Sequence, residues 1–123
     1  MLRSAIGGAL LVLFGADLST VLAACRTQGS NFRPSQNDKV TYTVVMNAAG
    51  CRHTYRANGT FMFEKAVAMK PPANGSLTQV GEFSFLYKPR PGFLGKDSYV
   101  IYVCGSGNSG AGCSRITYEA TVE

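Results

Sequence analysis

The sequence predicts an all-β domain that follows an N-terminal signal peptide. Three observations favour this fold class: short runs of alternating apolar and polar residues, turn residues between the runs, and no sustained helical period in the later part of the chain. About seven such runs lie between residues 25 and 123, which is the strand count of one immunoglobulin-like β-sandwich. Tryptophan is absent, so an antibody-type core built around a buried Trp is excluded.

Residues 1–24 have the features of a secretory signal peptide. Arg3 supplies the positive charge, residues 5–16 are an apolar core, and the small residues Ala23 and Ala24 follow. This apolar core is too short to span a bilayer. We therefore expect an exported protein whose domain, residues 25–123, lies in the periplasm or outside the cell.

The stretch LAAC at residues 22–25 is similar to the lipobox of bacterial lipoproteins, whose cysteine is acylated. The polar residues Asp17, Ser19 and Thr20 interrupt the preceding apolar core and suit ordinary signal peptidase instead. Two forms stay open: a soluble protein, which the polar residues favour, and a lipoprotein anchored through Cys25. A lipid on Cys25 is the one membrane attachment we expect.

All four cysteines lie beyond the signal peptide, an even number that predicts two disulfides in an oxidising compartment. Three pairings are possible. We favour Cys104–Cys113, which closes the eight-residue loop GSGNSGAG between two strands. Cys25–Cys51 then follows by elimination. No C-x₂-C pair and only one histidine are present, so we expect no zinc and no other cofactor.

The first half of the domain contains three predicted strands. Residues 40–46 (VTYTVVM) alternate so that Val40, Tyr42, Val44 and Met46 share one face. The runs CRHTYRA and TFMFEKAVAM flank Asn58-Gly59, and this dipeptide predicts a two-residue β-hairpin.

The second half contains four further predicted strands. A second Asn-Gly pair precedes the run SLTQV, and the run EFSFLY follows with its aromatic residues on one side. SYVIYVC is apolar on both faces, which is typical of a central strand. RITYEATV alternates cleanly, as a half-buried strand does.

The loop at residues 87–99, YKPRPGFLGKDSY, is predicted to be a rigid corner that carries the chain from one sheet to the other. Its prolines end the strand, and its glycines allow backbone angles that other residues avoid. We expect Phe93 to anchor the loop to the core and Asp97 to accept hydrogen bonds from loop N–H groups. The corner residues are Pro89, Pro91, Gly92, Phe93, Gly95 and Asp97.

The run NGSLTQVGEFSFLYKPRPGFLGKDSYVIYV resembles the second half of a bacterial Ig-like (cadherin-like) β-sandwich repeat. The shared pattern is an Asn-Gly turn, a strand ending in Tyr-x-Pro, a Pro-Gly-Phe-x-Gly-x-Asp loop and an aromatic-alternating strand, and it covers residues 71–103. The resemblance implies a role in adhesion, at the cell surface or in a matrix. Relatives of this type often occur as repeats, whereas we expect one such domain in this chain.

The chain carries 12 Lys and Arg residues against 7 Asp and Glu residues, a net charge of +5. The cations occur singly or in short groups along the sequence, and we interpret them mainly as ordinary surface charge. The candidate ligand surface is the basic and aromatic group Arg52, His53, Tyr55 and Arg56. Such residues suit an acidic glycan or an anionic protein partner.

The sequence therefore predicts an exported, non-catalytic Ig-like module with a binding, adhesion or structural role at the bacterial envelope or outside the cell. The alternative is a secreted inhibitor or chaperone-like protein that captures another protein by a sheet edge or loop. We expect no enzyme activity, because His53 is the only histidine and no nucleophile motif accompanies it. The expected partner is a protein or an anionic polysaccharide, and we expect no nucleic acid partner.

Overall fold

A computed structural model of the protein describes residues 25–57, 59 and 61–123. The predicted signal peptide lies outside the described residues. The described chain is all-β, as predicted, and has eight strands and one short 3-10 helix. The elements are β1 (Arg26–Gln28), the 3-10 helix (Pro34–Gln36), β2 (Lys39–Met46), β3 (Cys51–Thr54), β4 (Phe61–Lys70), β5 (Gly75–Gly81), β6 (Ser84–Pro89), β7 (Gly95–Gly107) and β8 (Gly110–Val122).

Two sheets form the sandwich. The five-stranded sheet has the order β1-β2-β8-β7-β4, and the three-stranded sheet has the order β3-β6-β5. Strand β2 runs parallel to β8, and every other pairing is antiparallel. The chain crosses between the two sheets of this β-sandwich four times. The strand that was not predicted, β1, has three exposed residues and therefore carries no burial pattern.

The prediction of a hairpin at Asn58-Gly59 is wrong. Strand β3 pairs with β6, and β4 pairs with β7, so the two runs that flank this dipeptide lie in different sheets. The actual hairpins join β5 to β6 and β7 to β8. The Gly-rich loop of the second hairpin is shorter than expected. The pairing of β7 with β8 continues to Gly107 and Gly110, which leaves a two-residue turn.

The core contains the alternating residues that the sequence analysis assigned to β2, β6, β7 and β8. Three tyrosine rings stack in its centre: Tyr87 on Tyr99 at 4.8 Å between ring centroids, and Tyr99 on Tyr118 at 5.1 Å. Strand β7, the predicted central strand, lies between β8 and β4. The buried apolar residues are Val44, Met46, Cys51, Tyr55, Ala66, Phe85, Tyr87, Tyr99, Val100, Ile101, Val103, Ile116, Tyr118, Ala120 and Val122.

Both favoured disulfides are present. Cys104 and Cys113 lie directly opposite each other on β7 and β8, with Cα atoms 4.0 Å apart. Cys25 is bonded to Cys51 at the start of β3 and so links the two sheets. Two disulfides indicate an oxidising compartment outside the cytoplasm. Acylation of Cys25 would need the same sulfur atom, so the disulfide and the lipid are alternatives at this residue.

None of the described residues belongs to a helix with the length and apolar character required to cross a membrane.

Candidate functional site

The corner between β6 and β7 joins the two sheets, as the sequence predicts. Gly92 and Gly95 have φ angles of +81° and +128°, in the region that favours glycine. Phe93 is half-buried and packs against the core, and the guanidinium carbon of Arg90 lies 5.3 Å from the centre of its ring. The corner is therefore held by backbone geometry and by an aromatic anchor.

Asp97 connects this corner to a second crossing of the sandwich. Its carboxylate accepts hydrogen bonds from the Tyr87 hydroxyl at 2.7 Å and from the backbone N–H groups of Ala73, Asn74 and Ser98 at 2.9, 3.0 and 2.9 Å. Two of these donors belong to the β4–β5 connection, not to the corner loop where they were expected. Burial by itself would raise the pKa of Asp97, but these hydrogen bonds outweigh it and lower the pKa below its usual value.

The four residues of the predicted ligand surface line one cavity of about 280 Å³ between the edges of the two sheets, here called the side cavity. They do not present their side chains in the same way. Arg52 and Arg56 are exposed, whereas His53 and Tyr55 are buried. Alternation along β3 explains the division, because residues two apart point to the same side of a strand.

His53 belongs to the core. Its Nε2 atom lies 2.6 Å from the Tyr99 hydroxyl oxygen, and its ring stacks on Tyr118 with centroids 4.0 Å apart. Burial lowers the pKa of His53 to about 4, so the imidazole is neutral near pH 7. A neutral, buried ring adds no positive charge for an anionic ligand.

Tyr55 also belongs to the core. Its hydroxyl lies 2.8 Å from that of Tyr118, and the ring of Phe32 packs edge-on against it at 5.8 Å. Burial raises the pKa of Tyr55, which keeps the phenol protonated. Within the predicted ligand surface, the two arginines are therefore the groups that reach solvent.

A larger cavity of about 640 Å³, here called the end cavity, opens where the β7–β8 hairpin meets the 3-10 helix and the start of β4. Phe32, Phe61 and Phe63 line it with half-buried rings. The centroids of Phe32 and Phe63 are 6.0 Å apart with nearly parallel planes, and those of Phe61 and Phe63 are 5.4 Å apart. The end cavity shares Phe32, Phe63 and Arg56 with the side cavity, so the two adjoin. The sequence analysis missed it, because Phe32 is distant in sequence from β4.

The outer face of the five-stranded sheet carries half of the chain's Lys and Arg residues. Directly opposite residues on neighbouring strands share a face. Lys39 is opposite Arg115, and Arg115 is opposite Tyr102. The same register and alternation place four further exposed cations on this face. The six cations, here called the basic face, are Arg26, Lys39, Lys65, Lys70, Lys96 and Arg115.

Few carboxylates accompany these cations. Glu119 lies on the central strand β8, opposite Ser98, and Glu64 reaches the hairpin end, where its Oε2 atom accepts a hydrogen bond from Ser106 at 3.2 Å. A cavity of about 670 Å³ lies on this side of the molecule, and Lys70 and Lys96 are among its lining residues. Hydroxyl side chains also line it: Thr43, Ser98 and Thr121.

Comparison of this chain with family models, with curated proteins and with solved structures gives no match.

Proposed function

We propose that this chain is an exported, non-catalytic binding module that holds an anionic polysaccharide at the bacterial envelope or outside the cell. The observation that carries the proposal is the basic face: six exposed cations on one side of one sheet, with two carboxylates reaching it. Sequence order gives no sign of this concentration, because the cations come from five different strands that only the fold brings together.

The spacing of the basic face suits an extended polymer. Neighbouring strands lie about 4.8 Å apart, and alternate residues of one strand are about 7 Å apart. A chain of regularly placed anionic groups that lies over this face would meet one cation after another. Each exposed ion pair contributes little, about 0–1 kcal/mol, so binding depends on many contacts and weakens with salt.

Two features favour a polysaccharide over a nucleic acid. Hydroxyl groups stand between the cations, including those of Thr43, Ser98 and Thr121, and they are suited to hydrogen bonds with sugar hydroxyls. The two disulfides indicate an oxidising compartment outside the cytoplasm. The predicted signal peptide also favours a location outside the cytoplasm.

Capture of a protein by a sheet edge is supported less well. Edge strand β4 has two register shifts, and bulges of this kind hinder the addition of another strand. Its backbone is also partly covered, because the Gln79 side-chain amide donates a hydrogen bond to the carbonyl oxygen of Ala66 at 3.2 Å. Lys65 and Lys70 on the same strand further disfavour such pairing.

A matched pair of double variants tests the proposal, with polygalacturonate as the probe. Lys70→Gln with Lys96→Gln removes two charges from the basic face. Arg52→Gln with Lys88→Gln removes two charges from strands β3 and β6 of the opposite sheet. We expect the basic-face variant to lose about tenfold in affinity, or about 1.4 kcal/mol, and the control to lose much less.

Salt dependence and a nucleic acid probe complete the test. Wild-type binding should be strong near 0.01 M ionic strength and nearly absent near 1 M, because the Debye length falls from about 30 Å to about 3 Å. Equal losses in the two double variants, or retention that does not respond to salt, would overturn the proposal. Tighter binding of short double-stranded DNA than of polygalacturonate would overturn the choice of polysaccharide.

A further inference from the structure

We propose that the end cavity is a second binding site, which holds the chain end of a carboxylated polysaccharide. The choice of a sugar ligand rests on the proposed function, but the site is separate from the basic face and can be tested separately. Three features of the cavity support the proposal: its aromatic floor, its polar rim and its exposed guanidinium.

The floor of the end cavity is aromatic and still accessible. Phe32, Phe61 and Phe63 are all half-buried, although each is an apolar ring that a closed core would cover. Aromatic rings provide large, rigid apolar surfaces on which the C–H face of a sugar ring packs. A volume of about 640 Å³ lies within the usual range for small-ligand sites, about 300–1,000 Å³, and is sufficient for one or two sugar residues.

The rim is formed by amide and hydroxyl groups. The Gln36 side-chain amide donates a hydrogen bond to the Ser109 hydroxyl at 2.9 Å, and Ser109 in turn donates to the Ser35 hydroxyl at 3.3 Å. Asn31 and Asn108 are exposed beside them. These groups both donate and accept hydrogen bonds, which is what recognition of several sugar hydroxyls requires.

One guanidinium on the rim is suited to a carboxylate. Arg33 is already engaged, since its Nε atom donates to the Asp38 carboxylate at 3.0 Å. Arg56 is exposed, and no carboxylate of the described residues lies within salt-bridge distance of it. A guanidinium binds a carboxylate through two parallel hydrogen bonds, so Arg56 is the group that would select an acidic sugar over a neutral one.

The position of the cavity explains why a chain end is the expected ligand. Its rim includes the tip of the β7–β8 hairpin at Asn108 and Ser109, and the same two strands carry Lys96 and Arg115 of the basic face. A polymer that lies over the basic face therefore approaches the cavity at the end of the sheet. The last residues of such a chain can therefore enter the cavity, whose volume is sufficient for one or two sugar residues.

Isothermal titration calorimetry with digalacturonic acid tests the site, with neutral α-1,4-galactobiose as the matched ligand. We expect the wild type to bind the acidic disaccharide about tenfold more tightly than the neutral one. Arg56→Gln should remove this difference, and Phe61→Ala should weaken both ligands. Arg52→Gln is the control, because Arg52 lines the side cavity but not the end cavity, and it should bind as the wild type does.

The outcomes separate this site from the basic face. If the wild type does not bind digalacturonate, or if Arg56→Gln and Arg52→Gln behave alike, the end cavity is not such a site, whether or not polygalacturonate still binds. If Lys70→Gln with Lys96→Gln loses polygalacturonate but keeps digalacturonate, the two sites are independent, as proposed. Equal affinity for free galacturonic acid and for the disaccharide would overturn recognition of a chain end. Because Arg56 is exposed, its variant does not depend on a core change that could prevent folding.

Discussion

The Nε2 atom of His53 lies 2.6 Å from the hydroxyl oxygen of Tyr99, between the two sheets of the sandwich. His53 is 5% exposed, and burial lowers its pKa from 6.5 to about 4. The unfolded chain therefore binds a proton at this side chain between about pH 6.5 and pH 4, whereas the folded chain does not. Stability must fall as the pH is lowered through this window.

The first prediction is that the free energy of unfolding decreases by about 3 kcal/mol between pH 7 and pH 4 because of His53. The chain contains no other histidine. Asp97, whose pKa is lowered below 3.8, begins to lose its contribution only as the pH falls further. Urea unfolding across this range should show a steep pH dependence for the wild type and a much flatter one for His53→Gln. Equal pH dependence in both proteins would contradict a neutral, buried imidazole.

The second prediction concerns the carboxylate that joins two crossings between the sheets. Asp97→Ala should destabilise the protein by about 3 kcal/mol, because the buried carboxylate is lost and the N–H groups of Ala73 and Asn74 lose their acceptor. Tyr87→Phe removes one hydrogen bond to a charged group and should cost about 2 kcal/mol. Urea midpoints of the variants measure both effects.

The matched control for this prediction is Tyr102→Phe. Tyr102 is half-buried on the outer face of β7, and its hydroxyl makes no hydrogen bond with the described residues. Its loss should change stability by less than about 0.5 kcal/mol. A similar cost for Tyr87→Phe and Tyr102→Phe would mean that the bond to Asp97 contributes little.

Local signals in the sequence were sufficient for seven of the eight described strands and for the corner. The alternation in β7 and β8 depends on which residues the core buries, and the corner depends on prolines and on glycines with positive φ. Strand pairing was not predictable in the same way. Asn58-Gly59 is a local turn signal, whereas the partners of β3 and β4 are distant strands, so long-range packing decided the pairing.

The candidate site shows the same difference between what local alternation predicts and what long-range pairing decides. The period of two in Cys51, His53 and Tyr55 is visible in the sequence and could have placed His53 and Tyr55 inside, away from the exposed Arg52. The basic face could not be found in this way. Its members extend from Arg26 to Arg115, and only the register of distant strands brings them onto one surface.

The third prediction tests the backbone of the corner. Gly92 has a φ of +81°, and an added Cβ atom there would meet nothing within 4 Å. Gly92→Ala should therefore cost about 1 kcal/mol from backbone strain alone. Gly81→Ala is the control, because Gly81 lies outside the positive-φ region and its Cβ atom would make an ordinary contact with Ser84. Thermal unfolding of both variants measures the difference, and equal effects would contradict a strained corner.

The fourth prediction compares the two disulfides. Cys25–Cys51 spans 26 residues and Cys104–Cys113 spans 9, so the first restricts the unfolded chain more. Paired alanine substitutions should cost about 3 kcal/mol for Cys104–Cys113, and about 1 kcal/mol more for Cys25–Cys51. Urea unfolding under oxidising conditions measures both values, and unfolding of the wild type under reducing conditions gives the combined loss. A larger cost for Cys104–Cys113 would mean that native packing around that bond outweighs its effect on the unfolded chain.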